Sequence, residues 1–146
     1  MGSTVSERLI AGTVALIEAD GGRDLSVRRL AEASERSTMC VYTHFQGRAN
    51  LLAAAHREAA GELWSALETT PDPRAALEQF AQQRPRLLLW LLTADAADDL
   101  VALRAELATR LLERLDDGAG RARDHLASVI GEAVLAPLLP RRRRAS

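Results

Sequence analysis

Residues 26–52, SVRRLAEASERSTMCVYTHFQGRANLL, constrain the fold more than any other stretch of the chain. Ser26 is a good N-cap for a short helix over residues 27–34, with Val27, Leu30 and Ala31 facing inward and Arg28 and Arg29 facing out. Ser37 can cap a further helix over residues 38–45, whose inward side chains are Val41 and Phe45. Little more than Glu35 and Arg36 separates the two. A short helix, a tight turn and a second short helix is the geometry that lets the second helix project into a DNA major groove.

Helices are expected elsewhere too. Ala, Leu, Arg and Glu dominate, aromatics make up only 3% of the chain and β-branched residues are sparse, so an all-α fold follows from propensity alone. At 146 residues there is room for one ordinary domain, or a small module fused to a helical body, and not for two large domains. The formal net charge is -1, so any affinity for nucleic acid has to come from a local patch. Over residues 26–50 that patch holds Arg28, Arg29, Arg36 and Arg48 against Glu32 and Glu35.

In chain order, a first helix is predicted over residues 6–19, from Leu9, Ile10, Thr13, Val14, Leu16 and Ile17 on one face. Asp20-Gly21-Gly22 ends it, because glycine tolerates the left-handed conformation that closes a helix. After Gln46-Gly47 a long helix runs over residues 48–69 with Leu51, Leu52, Ala55, Ala59, Leu63 and Leu67 as its buried stripe. Asp72-Pro73 caps and starts a fifth helix reaching residue 84, and Pro85 kinks or restarts it into an apolar sixth segment over residues 86–93. A seventh helix is expected over residues 96–115, with Leu100, Leu103, Leu107 and Leu111 inward. The last covers residues 121–139 with Leu126, Val129, Ile130, Ala133 and Val134 inward, before Pro140 and a disordered basic tail over residues 141–146.

The N-terminal fifty or so residues resemble the DNA-binding domain of the TetR (tetracycline-repressor) family of bacterial transcription regulators. The resemblance rests on the amphipathic first helix, the SVRRLAEA run at residues 26–33, Ser37 as a cap, and above all VYTHF at residues 41–45, followed by Arg48, Leu51 and Leu52. Beyond residue 55 it is one of architecture: Asp72-Pro73, the segment at residues 77–80, and Pro85 followed by leucines. It implies an all-α protein in two parts, a three-helix helix-turn-helix DNA-binding domain over residues 1–48 and a small helical effector-binding and dimerisation bundle over residues 49–140. The implied partners are a double-stranded DNA operator, a small apolar effector and a second copy of the chain held through the last two helices.

Carried onto this sequence, the resemblance makes Ser26, Arg28, Tyr42, His44 and Arg48 donors to DNA phosphates, with Ser37 capping the recognition helix. Thr38, Met39, Cys40 and Thr43 then meet base edges or the groove wall. The chain departs from the family pattern at Glu35, where Gly is common and a left-handed conformation is expected, and at Arg36, Thr38 and Met39.

In the C-terminal body Trp64, Phe80 and Trp90, with Leu88, are candidates for lining an apolar ligand cavity between the fourth, fifth and sixth helices; the competing account makes them ordinary core. A lone Cys40 and three histidines without metal-site spacing give no metal or disulfide, and no cofactor is implied. The Asp98-Asp99 and Asp116-Asp117 pairs fit helix ends better than acid/base chemistry, so no catalytic residues are expected. The start, MGSTVSERLI, lacks a secretory pattern and the apolar run at residues 87–92 is too short to span a bilayer, so a cytoplasmic protein with no membrane contact is the expectation. The sequence thus points to a dimeric repressor released by a ligand, with a same-fold ligand sensor that lacks specific DNA binding as the alternative.

Overall fold

Thr4 opens the first helix with a reciprocal cap. Its hydroxyl accepts from the Glu7 amide at 3.1 Å while its own amide donates to the Glu7 carboxylate at 3.0 Å, satisfying two donors that a helix start leaves unpaired. The computed structural model describes residues 4–93, 100–118 and 120–135, and these fold into eight α-helices with no strand among them. They are α1 (Val5–Asp20), α2 (Val27–Ala33), α3 (Thr38–Phe45), α4 (Arg48–Glu68), α5 (Pro73–Gln83), α6 (Pro85–Leu92), α7 (Val101–Leu115) and α8 (Ala122–Leu135). None of the described helices is long and apolar enough to cross a membrane.

The boundaries follow the local chemistry. Gly21 takes φ 79° and closes α1 by donating to the Ile17 carbonyl at 2.7 Å. The Asp72 carboxylate accepts from the Ala75 amide at 3.1 Å, with Pro73 occupying the first helical position of α5. Pro85 restarts the chain as α6, after Arg84 leaves helical geometry at φ −134°, ψ 56°, because proline supplies no amide to continue the α5 ladder. Residues 96–99, expected to begin α7, and residues 136–139, expected to end α8, lie outside the described residues, as do the Asp98-Asp99 pair and the arginine tail.

Helix α1 is the hub, packing against α2, α3, α4 and α6, while α8 closes over α5, α6 and α7. The expected stripe of α4 is buried in full, with Leu51, Ala55, Ala59, Leu63 and Leu67 wholly inaccessible. Burying a leucine completely contributes about 1.5–3 kcal/mol. Leu63 and Leu67 together therefore outweigh the roughly 1 kcal/mol that mid-helix Gly61 costs, and α4 is held by packing rather than by propensity. Helix α6 sits deepest: Leu87, Leu88, Trp90 and Leu91 are all buried.

Two positions differ from what helical spacing predicts, and a third, Arg104, is a buried arginine that spacing does not single out. Arg29, expected to face out, folds back to donate to Asp20 at 2.8 Å and to the Asp24 carbonyl at 3.1 Å, because the end of α1 presents a carboxylate within its reach. Val134, expected inward, is 49% exposed; the inner face of α8 is filled by Ala122, Leu126, Val129 and Ala133. Arg104 on α7 is buried, donating from Nε to the Trp90 carbonyl at 2.9 Å with its guanidinium 5.6 Å from the Trp90 ring centroid.

Candidate functional site

Helix α2 is fixed at both ends. The Ser26 hydroxyl accepts from the Arg29 amide at 3.3 Å, and at the far end the buried Ser34 hydroxyl donates to the Leu30 carbonyl at 2.8 Å. Gly12 of α1 lies so near this point that an added Cβ would stand 2.3 Å from Ser34 Oγ and 2.8 Å from its Cα. Only glycine permits that approach, so α1 and the end of α2 are locked in one arrangement.

The turn over residues 34–37 closes through backbone bonds from Glu35 to the Glu32 carbonyl at 3.1 Å and from Arg36 to the Ala31 carbonyl at 2.9 Å. Glu35 takes φ 54°, the left-handed conformation expected where a glycine is more usual. Ser37 holds the N-cap position of α3, yet its hydroxyl accepts no amide and donates instead to Cys40 Sγ at 3.6 Å.

Val41 anchors α3 from below, wholly buried, with Phe45 half-buried one turn on. The opposite side of the helix is open: Thr38, Met39, Tyr42 and Thr43 are all exposed. Met39 at 69% and Tyr42 at 53% are two of only four large hydrophobic side chains that the described residues leave exposed. These two side chains lie one turn apart on an eight-residue helix, on a face that the protein's own core does not use.

Polar groups flank this row. Arg28 is 81% exposed, its Nε 3.4 Å from Glu32, a surface pair worth little and easily exchanged for another anion. His44 Nδ1 stands 3.4 Å from the Ser6 hydroxyl, which places the start of α1 beside the end of α3. Arg48 donates from Nε to the Leu25 carbonyl at 2.5 Å, so one of its donors is committed to holding α4 against the loop before α2 while the residue stays exposed. Cys40 is a half-buried free thiol. Two supporting residues leave little trace in the sequence: Asn50 donates to the Phe45 carbonyl at 2.8 Å and closes α3, and Gln46 turns the chain there at φ 59°. The only signal for either was the Gln46-Gly47 break.

The four residues proposed to line an apolar cavity differ in their surroundings. Phe80, Leu88 and Trp90 are buried core side chains, whereas Trp64 is half-buried and lines a cleft of about 370 Å³ between α4 and α7, with His56, Arg57, Leu103, Glu106 and Arg110 among its walls. A wider groove of about 560 Å³ lies between α1 and α4, its carboxylates including Glu18 and Glu62. Both of these pair with Arg84, whose guanidinium is held above its ordinary pKa: burial alone would lower it, but Glu62 and Glu18 more than reverse that. No group of acidic, His or Cys side chains among the described residues is placed to hold a metal ion.

No protein-family model and no curated protein matches this chain.

Proposed function

We propose that the protein is a DNA-binding transcription regulator of the TetR type, acting as a homodimeric repressor whose grip on an operator is released by a small ligand held in the helical body. The observation that carries this is the exposed row on α3, Thr38, Met39, Tyr42 and Thr43, standing on a buried Val41 and flanked by Ser26, Arg28, His44 and Arg48. Hydroxyls and guanidinia at the rim suit phosphates, and the methionine and threonine side chains suit the apolar and polar edges of a base pair. Dimerisation falls to α7 and α8, where Val101 and Val134 are the other exposed large hydrophobics among the described residues.

Selection from random duplexes at moderate salt tests it: enrichment of an inverted repeat supports the regulator, and enrichment of no motif sinks it. Light scattering at tens of micromolar tests the dimer, which a monomeric mass overturns.

A second account, a ligand sensor of the same fold without specific DNA binding, is favoured by the charge arrangement. Arg29 is bonded to Asp20, Arg48 is partly committed to Leu25, and Arg28 faces Glu32, which leaves a thin electrostatic footprint for a phosphate backbone.

A further inference from the structure

The cleft between α4 and α7 is where the body offers unused chemistry. One wall is the indole of Trp64, whose Nε1 donates to Glu68 one turn along α4 and so fixes the ring. The Arg110 guanidinium lies over that ring, 4.2 Å from its centroid. Among the described residues neither Arg110 nor Arg57, the second cation of the cleft, has a hydrogen-bond acceptor or a carboxylate partner. Leu103, Leu107 and Ala60 supply aliphatic surface, and Glu106 is the single carboxylate. Among the lining residues two guanidinia face one carboxylate, that of Glu106, while the Glu68 carboxylate is bonded to the indole N–H at the edge of the cleft.

A guanidinium presents planar, directional donors that match a carboxylate in pairs. One that also rests on an indole is held in place before a ligand arrives, so less side-chain freedom is lost on binding. The aliphatic walls and the exposed part of the Trp64 ring accept a flat apolar body, and about 370 Å³ falls in the range of small-molecule sites. The two guanidinia, which no carboxylate of the described residues pairs, select an anion over a strictly apolar ligand.

We propose that this cleft binds a small carboxylate with a flat apolar body, the acid engaging Arg110 and Arg57 and the body lying against Trp64, Leu103 and Leu107. This deepens the effector-binding half of the proposed function and rests on none of its DNA-binding half.

Calorimetry on the full chain with 2-naphthoate, against the neutral 2-naphthamide of the same shape, tests it without DNA present. Naphthoate is expected to bind saturably, and the amide about tenfold more weakly or less, the loss of a charge-assisted pair. Arg110→Gln and Arg57→Gln should each weaken naphthoate about five- to thirtyfold while leaving the amide unchanged, and Glu106→Gln should tighten naphthoate. These are surface side chains, so far-ultraviolet circular dichroism is expected to be unaltered. The protein has two tryptophans, and of their indole N–H resonances only that of Trp64 should shift strongly with naphthoate. Equal affinity for acid and amide, indifference to both arginine changes, or no saturable binding overturns the proposal. Because no duplex is involved, a failed operator selection leaves it standing.

Discussion

Arg29 reaches back nine residues to place its guanidinium 2.8 Å from the Asp20 carboxylate, so the start of α2 is tied to the last residue of α1. The same carboxylate accepts from the Gly22 amide at 2.9 Å, which fixes the loop between the two helices. Burial, the largest single influence on Asp20, pushes its carboxyl up, but the amides of Gly22 and Arg23 and the Arg29 guanidinium together hold it below the ordinary value. Asp20→Ala is expected to cost about 1–2 kcal/mol at neutral pH, since charge-assisted bonds to a partly exposed carboxylate are lost. A carboxyl whose folded pKa is depressed stabilises the fold above its unfolded value, near about pH 4, and loses that contribution as pH falls through the folded value. Urea midpoints for wild type and variant should therefore differ at pH 7 and converge on the acid side of about pH 4; a gap that persists unchanged there refutes the electrostatic origin.

Gly12 supplies the closest approach between α1 and α2. A methyl group at this position meets Ser34 backbone at 2.8 Å and the Ala33 carbonyl at 3.0 Å, and only the Ser34 hydroxyl can rotate away. Gly12→Ala, which favours an isolated helix by about 1 kcal/mol, is here expected to destabilise by about 1–3 kcal/mol through overpacking. Thermal unfolding decides between the two: a raised melting temperature means that the helices part freely.

The architecture was legible in this chain because its punctuation is unusually explicit. Gly21, Asp72-Pro73 and Pro85 mark their boundaries to within a residue or two, and the α4 stripe is buried as its spacing implies. The surface of α3 was legible for the same reason, since an eight-residue helix with Val41 inward must turn Met39 and Tyr42 outward. What escaped were contacts between positions far apart in sequence. Buried His56 faces the Leu91 carbonyl at 3.0 Å and Arg104 the Trp90 carbonyl, and a polar residue satisfied by a distant backbone carbonyl leaves no periodic trace. The α4–α7 cleft is set by which turns of two helices cross. That crossing cannot be read from either helix alone, so composition does not separate Trp64 in the cleft from Phe80, Leu88 and Trp90 in the core.

Tyr42 and Arg28 separate binding from folding. Both are exposed, so Tyr42→Ala and Arg28→Ala are expected to change stability by no more than about 0.5 kcal/mol. On a selected duplex each should weaken binding about tenfold or more, by roughly 1–3 kcal/mol, and Arg28→Ala should also lower the salt slope by about 1 if its partner is a phosphate. Fluorescence anisotropy over a salt series measures both quantities. Val41→Ala is the counter-case: it removes a wholly buried side chain and should lower the melting temperature as well as affinity.

Glu35 brings stability and binding together at one position. At φ 54° a residue with a Cβ is held in the left-handed region at a cost of about 1 kcal/mol, and its carboxylate stands in the turn that leads into the exposed row of α3. Its backbone amide, not its side chain, makes the turn's hydrogen bond to Glu32, so replacing the side chain leaves that bond in place. Glu35→Gly is therefore expected to keep the fold and to stabilise it by up to about 1 kcal/mol, the relieved strain being partly offset by the greater freedom of glycine in the unfolded chain. It also removes a negative charge from the proposed phosphate-facing side, so affinity for a selected duplex should rise several-fold at low salt and converge on wild type as salt screens the difference, with a Debye length of about 3 Å at 1 M. Anisotropy at two ionic strengths, beside a urea titration, reads the two effects separately. A variant that is more stable but binds no better would place the Glu35 carboxylate away from DNA, and one that is less stable would mean that the side chain itself supports the turn.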